Sequence, residues 1–123
     1  MIVGIVRARE ALIRLRVRGL GGRQEEIEAV VDSGYTGWLT LPPTMVSALR
    51  LRWLTVSRGV LADGSTSEFD VYQAKVVWDA RIREVFVDVF DAIPLVGMSL
   101  LRGYEYKMQV RERGKVTIKP LRR

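Results

Sequence analysis

Apolar and polar residues alternate from Ile2 to Arg7 and again from Leu12 to Arg18, which is the period-2 signature of strands with one buried and one wet face. Gly19-Leu20-Gly21-Gly22 marks the turn after them. Gln24 to Val31 reads as a further strand, with Ile27 and Ala29 on one side of the pleat and the adjacent pair Val30-Val31 driving its end into the core. Trp38 to Leu41 is short and apolar, Pro42-Pro43 stops it, and Thr44 is placed to cap a brief helix through about Leu51. Trp53 to Leu61 and Thr66 to Trp78 are strand-like and flank Ala62-Asp63-Gly64-Ser65, where Asp-Gly signals a tight reversal, so a long hairpin is predicted. After a turn at Asp79 to Arg81, Val85, Val87 and Val89 alternate with Glu84 and Asp88 up to Phe90. Ile93 to Gly97 is an apolar run, Met98 to Arg102 fits one helical turn, and Tyr104 to Val110 and Val116 to Ile118 are strands around a turn at Arg113-Gly114. The pattern predicts an all-β chain, a closed or nearly closed barrel with one or two short helices and no repeats or linkers.

At 123 residues and 48% hydrophobic content, residues 1–123 are expected to form a single domain with one core. The chain has neither cysteine nor histidine. That excludes disulfides, thiol nucleophiles, Ser-His-Asp arrangements and thiolate or imidazole metal sites, and leaves acid-base chemistry to carboxylates, Lys or Tyr. Charges interrupt the N-terminal region every few residues, so neither a signal peptide nor a membrane span is expected there, and the protein is expected to be soluble and cytoplasmic. Twenty Lys and Arg against fourteen Asp and Glu give a net charge of +6, which raises the question of nucleic acid. However, Arg14, Arg16 and Arg18 alternate with Ile13, Leu15 and Val17 as the wet face of a strand does, and Glu25, Glu26 and Glu28 are placed to neighbour them. Nucleic acid is therefore disfavoured as a partner. Trp38, Trp53 and Trp78, with Met98, Leu100 and Leu101, read as core or barrel-rim packing.

The segment with the most chemical content is Val30-Val31-Asp32-Ser33-Gly34. Taken alone, Asp-Ser-Gly is a common turn tripeptide. Two apolar strand residues immediately before it imply instead that the Asp32 carboxylate is carried into the protein, where the Gly34 amide can bond it.

In this setting Val30-Val31-Asp32-Ser33-Gly34-Tyr35-Thr36-Gly37 resembles the signature of the retropepsin-like aspartic proteases: two apolar residues, Asp-Ser/Thr-Gly and a nearby hydroxyl residue. Leu95-Val96-Gly97 followed by Met98 to Leu101 resembles the family's second element, and the hairpin around residues 61–65 stands where the family has its flap. The resemblance implies a retropepsin-like β-barrel with a flap hairpin and a homodimer in which Asp32 of each subunit supplies half of a catalytic dyad. It further implies that Ser33 and Gly34 brace the dyad loops, that Thr36, Ala62, Asp63, Gly64 and Ser65 contact a peptide or protein substrate, and that no metal or cofactor is needed. The termini, Met1 to Val6 and Val116 to Ile118, would interleave at the subunit interface. Ser33 stands where many members carry Thr, and Tyr35 where a small residue is usual, so its ring must leave the catalytic plane or face substrate. The alternative is a non-catalytic β-barrel dimer that keeps the fold and binds peptide or nucleic acid.

Overall fold

The computed structural model describes residues 1–61 and 63–122; Ala62, one of the expected substrate contacts, lies outside the described residues. The alternating segments become β1 (Ile2–Arg7), β2 (Glu10–Arg18), β3 (Gln24–Val31), β4 (Leu39–Leu41), β5 (Arg52–Val60), β6 (Thr66–Trp78), β7 (Arg81–Val89), β8 (Leu95–Val96), β9 (Tyr104–Met108) and β10 (Lys115–Pro120), with helices α1 (Pro43–Leu49) and α2 (Met98–Leu101). The sheet runs β5-β6-β7-β4-β8-β3-β2-β1-β10-β9, and an additional β6–β2 pairing closes it into a barrel. Neighbouring pairs are antiparallel except β3–β8 and β4–β7, which are parallel. The inward-facing partners of the alternation meet in one core: Leu15, Val17, Val76, Trp78, Val87, Val96, Leu100, Val116 and Ile118 are all essentially inaccessible.

The wet face of β2 behaves as its pattern predicts. Arg14 and Arg16 pair with Glu26 on β3 at 3.2 and 3.7 Å, and Arg7 pairs with Glu28, so these arginines are answered by acids of the same sheet.

Four expectations are corrected. Thr44 lies inside α1 and caps nothing; the helix starts at Pro43 behind Pro42 with no side-chain cap, because a proline in the first turn has no amide proton to satisfy. Trp53 is 54% exposed, its indole nitrogen donating to Asp70 at 3.1 Å, since β5 is an edge strand with little packed over it. Met98 is exposed while Leu100 and Leu101 are buried, as a single helical turn presents only one side inward. Finally, Val116 to Ile118 are not free to interleave with a second chain. They pair with β9 on one edge and with β1 on the other, Ile118 facing both Tyr106 and Ile2, because the turn before β10 returns the chain between those strands. The sheet's open edges are β5 and β9.

Candidate active site

The end of β3 is held by a second strand that carries the second motif. Val30 and Asp32 donate their amides to the carbonyls of Pro94 and Val96, each at 2.9 Å, so the parallel β3–β8 pair sets the height at which Asp32 leaves the sheet. The 32–38 loop is then tied to residues 97–99. Gly97 donates to Trp38 at 3.0 Å, Met98 to Tyr35 at 2.8 Å and Ser99 to Gly37 at 3.0 Å, while the Ser99 hydroxyl donates to the Thr36 carbonyl at 2.7 Å. The spacing between the two motifs is thus a hydrogen-bonding match: the carbonyls of Tyr35, Thr36, Gly37 and Trp38 each find a donor among residues 97–99, as backbone taken from water requires. Gly97 has a steric reason. A Cβ there would overlap the Gly37 carbonyl oxygen and come within 2.6 Å of the Tyr35 ring.

Asp32 itself is half-buried, and its Oδ1 accepts the Gly34 amide at 2.9 Å. A backbone amide donated to one oxygen fixes the carboxylate's plane and leaves the other oxygen available. Ser33 is exposed beside it, and Thr36 is exposed on the far side of the loop.

The loop opens onto a cavity of about 590 Å³ bordered by Gly34, Tyr35 and Thr36 from below, Gly59, Val60 and Phe69 from the hairpin, and Asp88 and Phe90 from the end of β7. The lining is apolar except at Thr36, Thr40, Tyr35 and Asp88, the mixture usual in ligand clefts. The Thr40 hydroxyl oxygen accepts the Leu95 amide at 2.9 Å. Tyr35, the unusual residue of the first motif, folds across Gly37 and Gly97 and donates its hydroxyl to Asp88 Oδ2 at 2.6 Å. Burial, followed by the bond to Asp88 and its charge, pushes the phenol well above its ordinary value, and burial raises the Asp88 carboxyl despite the opposing effect of the Tyr35 bond.

The hairpin that covers the cavity is β5 and β6, paired from Arg52–Gln73 to Val60–Thr66. At its tip Leu61 donates to Ser65 and Gly64 to Leu61, at 2.7 and 2.9 Å, with Gly64 at φ +85. Asp63 accepts the Ser65 hydroxyl and amide, which hold its carboxyl below the ordinary value. The hairpin residues bordering the cavity are Gly59, Val60 and Phe69; Asp63, Gly64 and Ser65 are not among its lining. Sequence reasoning placed Asp88 on a solvent face and passed over Phe69, Phe90 and Val60. The available signal was Phe86-Val87-Asp88-Val89-Phe90, in which the supposedly polar face of the strand carries two phenylalanines.

No family model and no curated protein matches the chain. Among solved structures it is similar to the EIAV protease complexed with an inhibitor, at 15% identity and TM-score 0.57, covering 77% of this chain and 88% of that one. It is similar also to a retropepsin-like aspartic protease from Rickettsia conorii, at 18% identity and TM-score 0.57, covering 99% of this chain and 91% of that one. With the pinned Asp-Ser-Gly loop, the parallel strand pair behind it and the covering hairpin, these likenesses give the chain the retropepsin-like aspartic protease fold.

Proposed function

We propose that the chain is a subunit of a homodimeric aspartic endopeptidase, cytoplasmic and acting on peptide or protein substrates. The observation that carries the reading is the Asp32 carboxylate, oriented by the Gly34 amide on a loop that is pinned to residues 97–99 and whose next residues, Gly34 to Gly37, line an apolar cleft beside the hairpin. One chain holds a single Asp-Ser-Gly, so a symmetric pair is the economical source of the second carboxylate. Two carboxylates a few ångströms apart cannot both ionise cheaply, and the dyad shares one proton. The ionised Asp32 takes a proton from a water that attacks the peptide carbonyl; the protonated Asp32 of the other subunit donates to the carbonyl oxygen and stabilises the charge that develops there. Ser33 and Gly34 brace the facing loops, and the hairpin, with Asp63, Gly64 and Ser65 at its tip, closes on an extended substrate. The pairing of β10 on both edges supports subunit contact through the 32–36 loops and their surroundings rather than through interleaved termini. The nucleic-acid alternative draws no support from the β2 arginines, of which Arg14 and Arg16 are already paired.

Cleavage of a denatured protein mixture tests this. Asp32→Asn is expected to lower activity by at least about 100-fold, the scale of a lost general acid-base group, with unchanged thermal stability, and chelator is expected to have no effect. When excess Asp32→Asn chains are mixed and exchanged with unmodified ones, activity should fall below that of the unmodified homodimers alone, and it should fall again on dilution below the dimer's dissociation constant. Activity proportional to unmodified chain through both mixing and dilution would establish a self-sufficient monomer and end the shared-site reading.

A further inference from the structure

The outer face of β7 and the residue that follows it presents Phe86, Asp88 and Phe90 in alternation, and Phe90 packs against Phe69 of β6 at 4.8 Å between ring centres. Val60, 76% exposed, borders the same cavity from the hairpin. Asp88 is therefore a carboxylate set among apolar walls. Tyr35 bonds one of its oxygens, and none of the ion pairs among the described residues involves it. In this it differs from Glu26, Glu28, Glu68 and Glu105, each answered by a cation from its own sheet.

We propose that Asp88 is the specificity-determining residue of this cleft, selecting a substrate side chain with an aliphatic stem and a cationic end, that is, lysine or arginine. This deepens the peptidase reading and rests on it. The stem would lie along Val60, Phe69 and Phe90, as long basic side chains cover apolar surface while keeping their charge satisfied, and the ammonium or guanidinium would reach the carboxylate at the floor. A carboxylate has about four lone-pair sites, so the Tyr35 bond fixes its orientation and leaves acceptor capacity for the ligand. A wholly apolar side chain would bury the carboxylate further without a partner, and an acidic one would repel it; both cost free energy that a cation does not. Tyr35 serves here as a positioning residue. Its position is the family motif's most conspicuous departure in this chain, and its hydroxyl bonds the proposed selector.

The test uses peptides that differ at one position, bearing lysine, acetyl-lysine, norleucine or glutamate, with the variable residue moved in turn through the positions flanking the cleaved bond. Dissociation constants are measured on the Asp32→Asn protein, which keeps the cleft, and kcat/KM on the unmodified protein. At one position lysine is expected to exceed both acetyl-lysine and norleucine by about tenfold, the scale of one close charge pair across an interface. Introducing Asp88→Asn, which retains an acceptor for Tyr35, should abolish that ratio, and Tyr35→Phe should reduce it. The comparison of lysine with acetyl-lysine needs no variant at position 88 and so survives any failure of that variant to fold. Equal affinity for lysine and norleucine at every position, an unchanged ratio in Asp88→Asn, or no peptide binding at all would overturn the inference. Lysine-selective binding without cleavage by the unmodified protein would remove the peptidase reading and leave the role of Asp88 standing.

Discussion

The 32–38 loop and the β5–β6 hairpin line opposite sides of one cleft through Gly34 to Gly37 and through Gly59, Val60 and Phe69, but the first segment is tied into the core and the second chiefly to itself. The loop gives its carbonyls to residues 97–99 and leads directly into Leu39, which packs with Val96 and Leu100 at zero exposure. In the hairpin, Val56 to Val60 pair only with Thr66 to Asp70, β6 first reaches β7 at Val71, and none of those ten residues is buried. Local stability follows local burial and protected hydrogen bonding. The Asp32 loop is thereby held firmly and the hairpin is left with lower local stability, which under the proposed peptidase function is what admission of a substrate requires.

The largest expected effect comes from breaking the rigid side. Gly97→Ala puts a methyl group into the Gly37 carbonyl, a backbone atom that cannot swing aside, and is expected to cost about 3 kcal/mol, read as a lowered midpoint in urea, with activity lost through displacement of Asp32. Tolerance of this substitution would mean that the loop and the 97–99 segment are not tightly coupled. On the hairpin side Gly64 has open space around it and only its positive φ to protect. Gly64→Val is expected to strain the tip by about 1–2 kcal/mol, to shift the melting temperature much less than Gly97→Ala, and to slow cleavage more than it destabilises the barrel. An unchanged cleavage rate would detach the hairpin from catalysis.

The smallest effect lies between the two segments. Burial raises the carboxyl of Asp88, so the folded chain binds that proton more tightly than the unfolded chain. Ionisation then opposes folding: the penalty is absent below the ordinary carboxylate value and complete above the raised one. Asp88→Asn is expected to raise the melting temperature at neutral pH by on the order of 1 °C, a small figure because solvent reaches the group, and the gap should close as pH falls into the carboxylate range. Tyr35 is the only other titratable group lining the cavity among the described residues. A gap that widened toward acid would show that the Tyr35 bond outweighs desolvation at Asp88.

Much of the barrel was legible because period-2 alternation is a local property. The bounds of β1, β3 and β6 coincide with those expected from Ile2 to Arg7, Gln24 to Val31 and Thr66 to Trp78. The helix start was misread at Thr44 because a hydroxyl residue suits the N-cap position, whereas Pro43, which has no amide proton to satisfy, already begins the helix one residue earlier. Asp88 was misread because alternation says which residues share a face but not what that face meets; Glu84 and Asp88 share one face, and only the approach of Tyr35 and the hairpin makes a cleft wall of its far end.

By itself the sequence determined the strands, the hairpin, the apolar pair ahead of Asp32 and the order of the two glycine-bearing motifs, since each depends on residues close together along the chain. Only the tertiary structure decided that Gly97 meets Gly37, that β10 lies between β1 and β9 rather than at an open edge, and that Tyr35 bonds a carboxylate from β7. The Gly97–Gly37, β1–β10 and Tyr35–Asp88 contacts join residues 53 or more positions apart, and no local periodicity carries the register of segments that distant until barrel closure brings them together.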